Sequence, residues 1–140
     1  CLKVGIPGIS ENITVRSIVG NFLEHSRIFY FYNDGWEDVF MGSADWMPRN
    51  LDKRVEITFP VEDEQLKGQV IDILNLQLAD TMKAHILQPD GSYEKQDLRG
   101  KEKICSQDEF CKRAMEASKN DAVEQVKRVF EPVFSKNEEK

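Results

Sequence analysis

No stretch of this chain approaches the roughly 18 consecutive apolar residues that a membrane-crossing helix needs, so no membrane span is expected. No segment has the charged, then apolar, then small-residue make-up of a secretory leader. Cysteine is scarce. Cys1, Cys105 and Cys111 are odd in number and lack metal-ligand spacing, which argues against a disulfide framework and against a cysteine zinc site. A reduced, cytoplasmic protein is expected. Positive charge is also short: 19 Lys and Arg stand against 25 Asp and Glu, for a net charge of -6. That balance excludes general adhesion to nucleic acid or to an anionic membrane. Histidine occurs only at His25 and His85, and no internal repeat is present.

What is present suits one domain over residues 1–140, long enough to bury a core. The chain opens without Met, in the apolar run "CLKVGI", and is expected to be cut from a longer polypeptide. That run reads as a strand and "PGISEN" as a loop. Residues 14–18 alternate like a strand, and 19–23 suggest a helical turn. The aromatic, branched run "RIFYFY" predicts a strand, "NDG" a hairpin turn and "WEDVFMG" the returning strand. "RVEITFPV" predicts one more strand. From Glu62, Leu66, Val70, Ile73, Leu74 and Leu78 recur at helical spacing. Residues 82–88 and 92–96 flank "PDG" as a second hairpin. Ser106, with Glu109 three places on, predicts a capping box and a helix to about Ser118. Residues 121–130 suggest another helix, and the tail "SKNEEK" is expected to fray. The element order predicts an α+β fold, a mixed β-sheet flanked by helices.

Charge is unevenly placed. Up to Arg54, six basic residues meet seven acidic ones; from Val55 on it is 13 against 18. An anion would therefore be held in the first half. There, His25 is followed by Arg27, and Arg49, Lys53 and Arg54 lie close behind. A histidine can attack phosphorus, donate a proton or donate a hydrogen bond to an oxyanion. Residues two apart on a strand share a face, so His25 and Arg27 are expected to reach one phosphate together. The planar fork of Arg27 matches phosphate oxygens. Gly42 lets a main chain approach an anion closely, and Ser43 adds a hydroxyl.

His25-Ser26-Arg27, a strand, and then Gly42-Ser43-Ala44-Asp45 resemble the phospholipase D superfamily motif. Arg27 stands where that superfamily usually has Lys. The Asp that usually follows is replaced here by an aromatic residue, so the match is to a divergent branch. The strings "GISENITVRSIVGNFLEHSRIFYF" and "GSADWMPRNLDKRVEITFPV" are similar to the C-terminal catalytic region of the polyphosphate kinase family, over roughly the first 60 residues. The resemblance implies a phospholipase-D-like fold and a reversible transfer of the terminal phosphoryl of ATP to polyphosphate. Transfer would pass through a phosphohistidine in upstream domains of the same polypeptide. His25 matches the family's second essential histidine and Arg54 an arginine of the same site, both facing ATP or phosphate. Arg27 and Ser43 are the further phosphate-binding candidates. The implied partners are ATP, ADP and polyphosphate, and the implied cofactor is Mg2+, with its ligands outside this chain. A homo-oligomer is implied for the full-length enzyme.

Chemistry at phosphorus in this manner needs two histidines, one attacking and one assisting the leaving group. One candidate makes half a site, so the chain alone is expected to do little. Two other readings stay open: a self-pairing single-motif phosphodiesterase, in which two copies of His25 meet across a two-fold axis, and a non-catalytic polyanion-binding module. Plainer roles are expected elsewhere. His85, outside any basic cluster, should be structural. Arg16 and Arg49 can be solvated or structural. Asp45 can orient a histidine or close a turn. Trp36, Trp46 and the "FYFY" stripe should be core, and Cys105 and Cys111 inert thiols.

Overall fold

The computed structural model describes residues 2–121. The expected helix over 121–130 and the frayed tail lie outside the described residues. The chain divides into two compact units, with the boundary between Glu109 and Phe110.

The first unit holds two three-stranded antiparallel sheets. One has the order β1 (Arg16–Ile18), β5 (Ala84–Leu87), β6 (Tyr93–Lys95). The other has the order β2 (Ile28–Phe31), β3 (Asp38–Gly42), β4 (Thr58–Pro60). The expected α+β class is what forms. The single mixed sheet is instead this antiparallel pair among the described residues. Short α1 (Pro48–Lys53) links β3 to β4, and the longer α2 (Glu64–Leu78) follows and packs on β2 and β3. Pro48 at the first helical position is the local signal for α1, which periodicity alone missed. Asp63 caps α2 by accepting a hydrogen bond from the Leu66 N–H at 2.8 Å.

The hairpin between β2 and β3 closes through a 3-10 turn, Asn33–Gly35. Asn33, Asp34 and Gly35 all have positive φ, which Asn, Asp and Gly tolerate best. Its register pairs Ile28 with Met41 and Phe31 with Asp38. "CLKVGI" is not a strand. Gly5 and Gly8 turn the backbone with positive φ, and Ser10 is buried, donating through its hydroxyl to the Lys3 carbonyl at 2.7 Å. The helical turn expected over 19–23 is also absent; those residues form a loop.

Among the described residues the buried apolar ones are Val4, Val39, Val70 and Ala84. Trp36 and Trp46 were expected in the core, yet they are 80% and 75% exposed. Phe31 and Tyr32 of the aromatic stripe are exposed as well. An aromatic run specifies a strand, but not which of its faces is covered.

A buried polar joint ties the end of α2 to the start of the last described helix, α3 (Ser106–Asp121). Asp80 is fully buried. Its carboxylate accepts from the Lys83 N–H at 2.7 Å, the Ser106 N–H at 2.8 Å and the Ser106 hydroxyl at 2.9 Å. The Ser106 hydroxyl therefore serves Asp80 rather than the capping box expected with Glu109.

Candidate active site

The β2–β3–β4 sheet brings three strand ends to one edge. The Gly42 N–H donates to the Arg27 carbonyl at 3.0 Å, and the Ser43 N–H to the Ile57 carbonyl at 2.9 Å. His25 and Arg27 precede β2, Gly42-Ser43-Ala44-Asp45 ends β3, and Arg54 lies just before β4. The sequence-predicted residues thus arrive together because two antiparallel pairings share β3.

Arg27 is half-buried and its guanidinium is already engaged. Its Nε and Nη2 both donate to Asp45 Oδ1, at 2.9 and 2.7 Å, and its Nη1 to the His25 carbonyl at 2.8 Å. The expectation that His25 and Arg27 share a strand face does not hold, because β2 begins only at Ile28. What Arg27 does instead is fasten the His25 backbone to the Gly-Ser-Ala-Asp turn. Asp45 takes this role rather than orienting a histidine ring. The imidazole of His25 is exposed and has no hydrogen-bond partner among the described residues.

Ser43 is likewise engaged. Its hydroxyl donates to Glu56 and accepts from the Ile57 N–H at 3.0 Å. The backbone N–H groups of Gly42 and Ser43 are both taken by the sheet, so neither can cradle an anion as expected. Gly42 is tightly surrounded: a Cβ there would lie 3.2 Å from Phe29 and 3.3 Å from the Thr58 hydroxyl.

Arg54 caps the end of α1, exposed, with one long contact of 3.4 Å from Nη1 to Asn50 Oδ1. It forms no ion pair with Asp52 or Glu56 among the described residues. Asn50 is 3% exposed and also donates from Nδ2 to the Asp45 carbonyl at 3.1 Å. A continuous hydrogen-bonded path therefore runs Arg54–Asn50–Asp45–Arg27–His25. Asn50 had no signal in the sequence beyond its place inside the basic cluster. Arg49 and Lys53 are exposed.

The remaining candidates fall where plain roles put them. Arg16 donates from Nη1 to the Asp80 carbonyl at 3.3 Å, and His85 Nδ1 sits 3.0 Å from the Lys83 carbonyl. Burial pushes the Cys105 thiol up, away from thiolate reactivity. A cavity of about 510 Å³ has Arg16, Phe22, Glu24, Ser26, Gln77 and Gln107 among its lining. The site thus combines an exposed imidazole on a fastened backbone with a guanidinium, linked to it through Asn50, Asp45 and Arg27, that has no carboxylate partner among the described residues. Such a pair can hold and polarise phosphate oxygens.

The family described as "Polyphosphate kinase C-terminal domain 2" matches residues 1–107. The chain belongs to the polyphosphate kinase family. It is 49% identical over 121 residues to a polyphosphate kinase of Lactiplantibacillus plantarum, covering 86% of this chain and 17% of that one. With a polyphosphate kinase of Pseudomonas aeruginosa it shares 57% over 95 residues, covering 68% and 14%. In three dimensions it resembles the crystal structure of polyphosphate kinase from Porphyromonas gingivalis, with a TM-score of 0.72 and 36% identity, covering 82% of this chain and 18% of that one. The chain therefore spans less than a fifth of the length of these polyphosphate kinase relatives. The matched segment contains every site residue described above and ends at Gln107, one residue past the Asp80–Ser106 joint.

Proposed function

We propose that this chain is the C-terminal catalytic part of a polyphosphate kinase. It would transfer the terminal phosphoryl group of ATP reversibly to polyphosphate, through a phosphohistidine carried by upstream domains of the same polypeptide. The observation that carries this reading is the unpartnered imidazole of His25, held at its backbone by the Arg27–Asp45 pair, in a chain of this family. His25 assists as the bond to phosphorus breaks. Arg54 binds the phosphate oxygens. Arg27 and Ser43 contribute to the same phosphate site by fixing its walls, and either meets phosphate only by exchanging a carboxylate partner for it. Residues 1–140 act as one domain in this reading.

Among the described residues no group of three or more His, Cys, Asp and Glu can hold a metal ion. In this reading the Mg2+ that accompanies ATP would find its protein ligands in the upstream domains. No described helix is long and apolar enough to cross a membrane. A cytoplasmic setting and a homo-oligomeric full-length enzyme belong to the same proposal. The exposed apolar side chains, Val55 and Trp36 among them, are surface that further chain or a second copy would cover.

Arg54 gives the direct test. In the full-length protein, Arg54→Lys keeps the charge but loses the two-pronged donor set. One charge-assisted hydrogen bond to a phosphoryl oxygen is worth about 1.5–3 kcal/mol. Polyphosphate synthesis should fall roughly 10- to 100-fold, with the circular dichroism spectrum unchanged. A rate within twofold of the parent would make Arg54 a solvated surface charge.

A further inference from the structure

Gln107 is 6% exposed, although it is a polar side chain far in sequence from the phosphate site. Its amide is fully used, and every partner lies in the loop that leads into His25. Oε1 accepts from the Asn21 N–H at 2.8 Å and the Phe22 N–H at 3.1 Å. Nε2 donates to the Phe22 carbonyl at 2.8 Å and to Glu24 Oε1 at 2.9 Å. The other Glu24 oxygen accepts from Gln77 Nε2, which also lies 3.4 Å from the Ser26 hydroxyl. Both neighbours of His25 are thereby held by amides, while Arg27 holds its carbonyl. Gln107 is itself set in place through Ser106, whose N–H and hydroxyl are bound by buried Asp80.

Gly20 completes the arrangement. A Cβ at this position would lie 2.1 Å from Gln107 Oε1 and 2.5 Å from Gln107 Cδ. Only glycine admits the amide this close to the backbone.

We infer that Gln107 is a positioning residue for His25: it fixes the 20–24 loop, with Gly20 as the gap that lets it dock, and so aims the imidazole at the reacting phosphate. The inference rests on the proposed role of His25. It adds that the aim is set from a residue more than 80 positions away in sequence, through a side chain that touches no substrate. A buried amide with four partners, all main chain or a neighbouring carboxylate of one loop, costs its whole desolvation if that loop detaches. The loop is therefore held in one place, which is what an assisting group needs in order to act only as the bond breaks.

The test uses the full-length protein and four variants: Gln107→Ala, Gly20→Ala, the double variant, and His25→Ala. Steady-state polyphosphate synthesis is measured well below the melting temperature, with kcat and KM for ATP separated. Hydrogen exchange of the Asn21 and Phe22 amides is followed in parallel. A misplacement near 1 Å costs about 100-fold, so Gln107→Ala should lower kcat roughly 10- to 100-fold, with KM for ATP changed less than about threefold. Both amides should lose protection. Gly20→Ala should reproduce this loss by displacing the same side chain, and the double variant should be no worse than either single one. A merely structural glutamine would lower the melting temperature and leave kcat alone. Gln107→Ala with parental kcat, or losses that multiply in the double variant, overturns the inference while leaving the role of His25 standing. Parental turnover in His25→Ala overturns both.

Discussion

His25→Ala in the full-length protein should abolish net polyphosphate synthesis, a fall of about 100-fold at the least and up to about 10,000-fold, the range of a positioned proton donor. The fold should be untouched. The side chain is exposed and its ring bonds to nothing among the described residues, so its removal opens no cavity and strands no partner. His25→Gln keeps a donor without a transferable proton and should restore binding more than turnover. If the phosphohistidine is upstream as proposed, acid-labile phospho-enzyme should still form slowly in both variants. Steady-state synthesis and phospho-enzyme yield, with circular dichroism as the folding control, decide the matter. A folded Ala variant with parental turnover would reduce His25 to an ordinary surface histidine.

Asp80 should show a different pattern, led by a large loss of stability, since it reaches the His25 loop only indirectly, through Ser106 and its neighbour Gln107. Asp80→Ala leaves the Lys83 N–H, the Ser106 N–H and the Ser106 hydroxyl without their acceptor in a fully buried position. An unmade buried hydrogen bond costs about 1–3 kcal/mol, so a loss on the order of 3–5 kcal/mol is expected. The same joint has a pH signature. Burial alone would raise the Asp80 carboxyl. Hydrogen bonds from Ser106, Lys83 and Ala84 more than offset it, and the group titrates below the ordinary carboxylate range. A carboxyl depressed in the folded state takes up its proton more readily when unfolded. Its contribution is therefore complete above the unfolded value of about 3.9 and is lost as pH falls through the folded value. Thermal unfolding between neutral pH and pH 3 should show a steeper acid limb in the parent than in Asp80→Asn. Parallel acid limbs would mean that the Asp80 carboxylate is not what holds the joint.

The parts legible in the sequence were those that depend on near neighbours. Asn-Asp-Gly fixed the β2–β3 hairpin because those residues accept positive φ, and the hairpin alone carries Gly42 to Arg27. Helix α2 followed from its periodicity; its cap, Asp63, was not read from the sequence. Local patterns misled where tertiary partners decide. "CLKVGI" is apolar enough for a strand, but two glycines and the Ser10 hydroxyl fold it into turns. Arg27 sits at the right spacing to face phosphate, but the carboxylate of Asp45, 18 positions on, captures its fork. Ser106 has the spacing of a capping box, yet a buried carboxylate 26 positions back takes its hydroxyl. Gln107 carried no signal at all, and Asn50 only its place inside the basic cluster. A buried amide is recognisable only by what surrounds it, and the Asn21 and Phe22 groups that surround Gln107 lie 86 and 85 positions away.

Trp46 stacks on Phe29 with ring centroids 5.7 Å apart and planes 22° apart, directly after the carboxylate that grips Arg27. The indole is three-quarters exposed to water. The chain has only one other indole, Trp36, beside the 3-10 turn at the far end of the same hairpin. One light-emitting group thus sits on the rim of the proposed phosphate site and a second at the far end of the hairpin. With Trp36 changed to phenylalanine, tryptophan emission from this domain, excited selectively at the red edge, would come from the rim alone. Its colour and quenching by iodide would then follow the Asp45 turn in real time as phosphates arrive and leave, with no label attached.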